Sequence, residues 1–186
     1  FLVLLIAYVF HIFSSTGYFR SIENKFEGNI LKKIALVGAE DIMISRKDSF
    51  AIISSTDRSA FPNEAQENGG LYLIDLKSKD FQTVHLTKDF NKAFAPHGIS
   101  MFQRDSIYTI AAISHTKEGE LIEFFEMVGD EFTHVKTIEN ELILSPNDLV
   151  LLDENTFYVT NDHKYKDGLG RLAEDYLGLA ISNIIY

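Results

Sequence analysis

The chain has 186 residues, of which 46% are hydrophobic and 24% are charged, a balance typical of a folded globular domain with a sizeable core. Its 17 basic and 27 acidic residues give a net charge of −10, which is the wrong sign for a nucleic-acid partner. The sequence contains no cysteine, which excludes a disulfide framework and a thiol nucleophile within these residues.

The chain begins with an apolar stretch, residues 1–13, interrupted only by His11. A helical bilayer span takes about 20 residues, so this stretch alone is too short to cross a membrane. With residues upstream, it would form the end of a signal anchor or of an uncleaved signal sequence. We interpret residues 1–19 as a hydrophobic signal or anchor-like segment and expect a membrane-associated or secreted, extracellular protein. The alternative is a buried amphipathic helix that leads into the domain.

From Ile34 onward the sequence is typical of short β-strands, with alternating or β-branched residues separated by polar or glycine-containing turns. The predicted strands fall into groups. The first group covers 42–45, 50–55, 71–76 and 83–86, the second covers 98–102, 107–114, 121–128 and 133–138, and a third opens with 148–152 and 156–160.

The openings of the three groups, Ile42, Ile99 and Leu149, lie 57 and 50 residues apart. Four strands over about 50 residues are typical of a β-propeller blade, whose first strand lies innermost. A ring needs four to eight blades, so three openings predict an incomplete propeller. Because the chain also starts at Phe1 rather than Met and ends within an apolar run, we expect residues 20–186 to be an incomplete part of an all-β propeller domain.

Residues 165–185 depart from this strand pattern. Apolar residues recur there at three- and four-residue spacing, at Leu169, Leu172, Tyr176 and Leu179-Ala180. This spacing predicts an amphipathic helix inserted near the C-terminus. Its apolar face would either pack on the protein or contact a lipid surface.

Two oxygen-bearing pairs, Glu40-Asp41 and Asn147-Asp148, precede the openings of the first and third groups. Successive side chains of an extended segment point to opposite faces, so each pair serves two places. Calcium prefers six to eight oxygen ligands. Glu40 with Asn147 would hold one ion, and Asp41 with Asp148 a second, with the Ile99 carbonyl as a further donor. The alternative is that both pairs are turn residues that cap strand ends.

A histidine, His97, stands between Pro96 and Gly98 at the opening of the second group. Proline stiffens the backbone before it, and glycine permits close backbone contact after it. An imidazole beside hard cations suits a site that moves a proton while a substrate is polarised. The alternative is a structural histidine. The sequence lacks the serine-hydrolase elbow, the HExxH zinc motif, a phosphate-binding glycine loop and EF-hand spacing.

Taken in order, these motifs resemble the serum paraoxonase/arylesterase family from about residue 27 to the last residue. The resemblance also includes 157–163 and 176–180, and it covers only the N-terminal half of the family's domain. It implies a six-bladed propeller with two central calcium ions that hydrolyses aryl esters and lactones. It also implies that His97 is the general base that activates water and that His115 relays its proton. His163 is expected to orient the loop after Thr160.

The resemblance further implies a retained hydrophobic N-terminus and a helix that lies over the site and touches a membrane or lipoprotein. A cysteine that the family has near Asn29 is missing here. The rival hypothesis is a non-catalytic, membrane-tethered propeller used as a binding scaffold, because a fold does not imply a function. An Asn and an Asp-Asn pair at further inner-strand starts would favour the enzyme.

Overall fold

The computed structural model describes residues 1–23, 25–60 and 68–186. Within them lie two α-helices, α1 (Leu2–Ser15) and α2 (Gly168–Leu177), a 3-10 helix at Arg58–Ala60, and eleven strands. The strands are β1 (Ala39–Ser45), β2 (Phe50–Ser55), β3 (Gly70–Asp75), β4 (Thr83–His85), β5 (Pro96–Arg104), β6 (Ile107–His115), β7 (Glu120–Val128), β8 (Glu131–Ile138), β9 (Pro146–Leu151), β10 (Phe157–Asn161) and β11 (Asn183–Ile185).

The strands form three antiparallel sheets that follow one another along the chain. The first contains β1 to β4, the second β5 to β8, and the third β9, β10 and β11, each with neighbouring strands in chain order. All ten strands expected from the alternating pattern are present, and β11 is an addition. The described chain is therefore mostly β, in three repeated up-and-down sheets of the expected spacing.

The second sheet lies between the other two. One face of β6 contributes Ile110 and Ala112 to a core shared with the first sheet. Its other face contributes Ala111 and Ile113 to a core shared with the third sheet. Because side chains alternate along a strand, burial on both faces explains why β6 is apolar without interruption from Ile110 to Ile113. Burying the Ile113 side chain contributes about 2 kcal/mol.

The first strands of the three sheets are neighbours, with β1 packed against β5 and β5 packed against β9. Side-chain hydroxyls also form hydrogen bonds across the gaps between the sheets. Thr56 Oγ1 donates to the carbonyl of Pro96 at 2.9 Å, and Ser100 Oγ accepts from the N–H of Leu151 at 2.9 Å. The second bond joins the first strands β5 and β9 directly, and the first ties the end of β2 to the start of β5.

Each first strand contains a β-bulge, in which two residues lie opposite one. Glu40 and Asp41 lie opposite Ser54, His97 and Gly98 opposite Ile113, and Asn147 and Asp148 opposite Thr160. The residues that follow the bulges are the three openings predicted from the spacing. The bulges re-aim the side chains of all three motifs at the same position in each sheet.

The helices differ in part from the prediction. In α1, side chains remain mostly exposed, and Tyr8 donates a hydrogen bond to the carbonyl of Tyr176 in α2. The buried lead-in helix is therefore not seen. In the described part of the chain, neither helix has the length and apolar character needed to cross a bilayer.

The predicted C-terminal helix extends further than the observed one. α2 ends at Leu177 because Gly178 adopts a left-handed conformation, with φ of 63°, that terminates helices. Leu179-Ala180 therefore lie outside the helix, and the chain continues into β11. The stripe formed by Leu169, Leu172 and Tyr176 is exposed to solvent.

Candidate functional site

The three bulges bring the oxygen pairs and the histidine together. The central strand β5 carries His97 and Gly98, with β1 on one side and β9 on the other. His97 lies 3.4 Å from Glu40 and is bonded to the backbone of Asn147, while Ile99 is bonded to Asp41. One local environment thus contains the motif residues from all three sheets.

Asp41 bonds to backbone groups of two different sheets. Its Oδ1 accepts from the N–H of Ile42 at 2.7 Å, and its Oδ2 accepts from the N–H of Ile99 at 2.8 Å. Asp148 accepts at Oδ1 from the N–H of Leu149 at 2.8 Å. Both aspartates therefore cap backbone groups, as the alternative interpretation from the sequence proposed. Each carboxylate oxygen has a second lone pair, so capping does not exhaust its capacity to bind a cation.

Gly98 is required by the close approach of β5 and β9. A Cβ at this position would lie 2.5 Å from the carbonyl oxygen of Asn147 and 2.8 Å from the Cα of Asp148. Both are backbone atoms that cannot rotate away. It would also lie 2.9 Å from Oδ1 of Asp148, so Asp41 and Asp148 both border the Gly98–Ile99 backbone.

His97 is held in one tautomer. Its Nδ1 lies 2.8 Å from the carbonyl oxygen of Asn147, which can only accept, so Nδ1 carries the proton and Nε2 has a free lone pair. Burial lowers the pKa of the His97 imidazole, and the Arg58 guanidinium lowers it further, against the opposing effect of Glu40. A neutral imidazole with Nε2 unprotonated is the form that can accept a proton.

His115, at the end of β6, lies beside His97. The two ring centroids are 4.9 Å apart and the rings are nearly perpendicular, at 86°. Nδ1 of His115 contacts the carboxylate of Glu120 across the β6–β7 hairpin. The structure thus places the two predicted histidines side by side.

Sequence reasoning missed several residues of this environment. Arg58 lies 3.5 Å from Glu40, Asp162 accepts from the Asn147 side chain at 2.7 Å, and Glu120 contacts His115. Because a carboxylate only accepts, the amide nitrogen of Asn147 must face Asp162, and its oxygen faces away.

His163, which was expected to orient the loop after Thr160, lies near two carboxylates of α2, 3.9 Å from Glu174 and 3.7 Å from Asp175. Asn161 organises the start of β9 instead. It accepts from the N–H groups of Leu144 and Ser145 and donates to the carbonyl of Leu142.

The donor chemistry of the site suits calcium. Glu40, Asp41, Asn147 and Asp148 offer only oxygens towards a cation, and the Asn147 oxygen is turned away from its hydrogen-bond partner. Across residues 1–23, 25–60 and 68–186, no group of three or more His, Asp or Glu side chains is already assembled around one point. The candidate set mixes carboxylates with an amide and a backbone carbonyl.

Comparison with known proteins identifies the family. The arylesterase family model matches residues 20–186. Serum paraoxonase/arylesterase 2 of Gallus gallus is 31% identical over 156 residues, which cover 80% of this chain and 44% of the relative. Serum paraoxonase/lactonase 3 of Oryctolagus cuniculus gives the same identity and coverage. Serum paraoxonase/arylesterase 1 of Mus musculus is 35% identical over 126 residues, which cover 63% of this chain and 35% of the relative. The matched segments thus cover less than half the length of these relatives. Because the family model matches residues 20–186, the chain belongs to the arylesterase family.

Proposed function

We propose that this chain is part of a calcium-dependent hydrolase of carboxylic esters, including aryl esters and lactones, and that its three sheets are blades of a six-bladed β-propeller. The observation that carries the proposal is the convergence of three bulges on His97, with oxygen donors on both neighbouring strands. The names of the relatives, which include arylesterase and lactonase, support this reaction class over a non-catalytic, membrane-tethered scaffold.

The proposed calcium ligands fall into two sets, one from the first residue and one from the second residue of each outer bulge. Glu40 lies beside His97, whose Nδ1 is bonded to the backbone of Asn147, so Glu40 and Asn147 would hold the ion nearer the base. Asp41 and Asp148 border the Gly98–Ile99 backbone and would hold the second ion together with the Ile99 carbonyl. When bound, calcium would polarise the ester carbonyl and stabilise the negative charge that develops on its oxygen.

His97 acts as the general base in this proposal. The Asn147 carbonyl holds the proton on Nδ1, so Nε2 is free to accept a proton from the attacking water. His115 receives that proton, because its ring lies 4.9 Å away and is itself paired with a carboxylate. Water supplies the nucleophilic oxygen, and the alcohol leaves with a proton.

We propose a location at a membrane or lipid surface, or outside the cell, and the exposed apolar residues of α1 and α2 support contact with lipid. The helices are joined through Tyr8 and Tyr176, and α1 exposes Leu4 while α2 exposes Leu169. A small-molecule ester or lactone would be the substrate, and a lipid surface a further partner.

The test uses the protein that contains this chain, assayed with an aryl acetate and an aliphatic lactone. We expect hydrolysis with calcium and its loss after exhaustive chelation, and full activity after chelation would refute the calcium role. His97→Gln should remove turnover without unfolding the protein. His85→Gln is the matched control, because His85 is also half-buried but stacks on Tyr72, away from the bulges. Equal turnover in the two variants would refute the assignment of the base.

A further inference from the structure

The β6–β7 hairpin ends in a paired histidine and glutamate. His115 and Glu120 are the last cross-strand partners, and Nδ1 of His115 lies 2.5 Å from Oε2 of Glu120. Their side chains are 29% and 23% exposed, so solvent competes only in part for the bond. A carboxylate accepts and does not donate, so Nδ1 of His115 carries the proton and Nε2 has a lone pair.

Backbone hydrogen bonds hold the chain on both sides of this pair. The turn between the strands is closed by reciprocal backbone hydrogen bonds between Thr116 and Gly119, at 3.1 and 3.3 Å. The N–H of His115 donates to the carbonyl of Ala95 at 3.1 Å, which ties the end of β6 to the start of β5. The hairpin register therefore determines where the Glu120 carboxylate meets the imidazole.

His97 and His115 carry their proton on the same ring nitrogen. Each ring uses Nδ1 for a bond to an acceptor that cannot donate, the Asn147 carbonyl for His97 and the Glu120 carboxylate for His115. Each ring therefore has an unprotonated Nε2. The Glu120 carboxylate, the His115 imidazole and the His97 imidazole thus form a row, in which the two ring centroids are 4.9 Å apart.

We propose that Glu120 is a positioning residue that holds His115 in the tautomer and orientation required to receive the proton from His97. This inference rests on the proposed hydrolase function. One proton passes from the attacking water to Nε2 of His97 and then to Nε2 of His115, while the water oxygen bonds to the acyl carbon. Glu120 stays ionised, takes no proton and compensates the charge of the resulting imidazolium. The proton leaves with the alcohol oxygen when its bond to the acyl carbon breaks.

The Glu120–His115 pair resembles the acid–histidine pair of a hydrolytic triad, in which a carboxylate orients an imidazole without being protonated. An amide in place of the carboxylate can turn either its oxygen or its nitrogen towards the ring, so the tautomer is no longer determined. Loss of a residue that orients a functional side chain by a hydrogen bond typically lowers activity 10- to 100-fold. We expect a loss in that range for Glu120→Gln.

The kinetic test compares Glu120→Gln with Glu118→Gln in the protein that contains this chain, with calcium and an aryl acetate. Both variants remove one negative charge from the same hairpin end, but Glu118 is exposed in the turn. We expect kcat to fall roughly 10- to 100-fold in Glu120→Gln with KM nearly unchanged, and Glu118→Gln to match the original protein. Equal kcat in all three proteins, or a change in KM alone, would overturn the role of Glu120.

The second measurement does not depend on turnover. Nitrogen-15 NMR of labelled histidine should show His115 protonated at Nδ1, and both Glu120→Gln and Glu120→Ala should shift it towards the Nε2-protonated form. An unchanged His115 spectrum would overturn the inference. If the original protein hydrolyses no ester, the proposed function fails. If it is active and Glu120→Gln is equally active, only the role of Glu120 fails.

Discussion

The bulges of β1 and β9 share a hydrogen-bond pattern that the bulge of β5 lacks. In β1 the N–H of Asp41 donates to the Ser54 hydroxyl at 3.1 Å, and its carboxylate accepts from the following N–H. In β9 the N–H of Asp148 donates to the Thr160 hydroxyl at 3.1 Å, and its carboxylate again accepts from the next residue. Two strands that differ in sequence thus close their bulges in the same way.

In β5 the corresponding positions hold Gly98 and Ile113, which have neither a carboxylate nor a hydroxyl. The N–H of Ile99 is satisfied by Asp41 of the neighbouring sheet instead. Glycine at this bulge allows β9 to approach and allows its carbonyl to hold His97. The outer bulges are therefore suited to hold charge, and the central one is suited to hold the His97 imidazole.

The largest expected effect separates the two residues of the β9 bulge. If Asp148 serves a structural ion and Asn147 the ion nearer His97, Asp148→Ala should lose calcium-dependent stabilisation, worth about 2.7 kcal/mol at calcium one hundredfold above its Kd. Asn147→Ala should lower activity with little change in Tm. A calcium titration of thermal unfolding measures both. Equal losses would mean one shared site and would contradict the two-ion arrangement.

The next effect tests the close approach at the central bulge. Gly98→Ala places a Cβ against backbone atoms of β9, and we expect the free energy of unfolding to fall by about 2 kcal/mol. Gly129→Asn is the control, because Gly129 has open space and a φ of 60° that asparagine tolerates. Denaturant unfolding measures the free energy of unfolding of both variants. An unchanged value for Gly98→Ala would show that β5 and β9 separate easily.

A smaller effect tests the double role of Asp41. Asparagine has one acceptor oxygen, so Asp41→Asn can retain only one of its two backbone bonds and should lose about 1.5 kcal/mol of stability without calcium. Asp148→Asn can retain its single bond and should change stability by less than about 0.5 kcal/mol. Chemical denaturation in the presence of a chelator compares them. Equal destabilisation would remove the distinction between the outer bulges.

The smallest effect concerns the orientation of the Asn147 amide. Asp162→Ala removes the acceptor for the amide nitrogen of Asn147. We expect calcium to bind roughly tenfold more weakly at the proposed site nearer His97. Asp162→Asn retains an acceptor oxygen and should bind calcium almost as the original protein does. Calorimetric titration distinguishes them. A similar loss in both variants would mean that the charge of Asp162, rather than its hydrogen bond, matters.

Hydrophobic alternation was sufficient to predict the strands and the three openings, because a strand buried on one or both faces must show it in its residues. Register is a different matter. Alternation around Glu40-Asp41 does not reveal a bulge, since the extra residue is polar and lies at the strand's exposed end. The bulge changes which side chains meet, and so the bond from Asp41 to Ile99 could not be predicted.

Some missed features did have a signal. A four-residue turn at 116–119 between two alternating runs places His115 opposite Glu120, and this pairing could have been predicted from hairpin geometry. Gly178 is a helix stop signal that the apolar spacing through Leu179-Ala180 obscured. Arg58 and Asp162 follow the strands that pair with β1 and β9, but strand pairing alone does not show which way their side chains turn.

The burial of the second sheet on both faces has a consequence for local unfolding. Amide hydrogens in the middle of β6, where Ile110 to Ile113 are at most 1% exposed, should exchange with solvent water more slowly than those of β9 or β10. His97 lies at the start of β5, which pairs with this protected strand. The proposed side-chain ligands come from the two flanking sheets, which we expect to open more readily, so ion binding would slow exchange in β1 and β9 while leaving β6 unchanged.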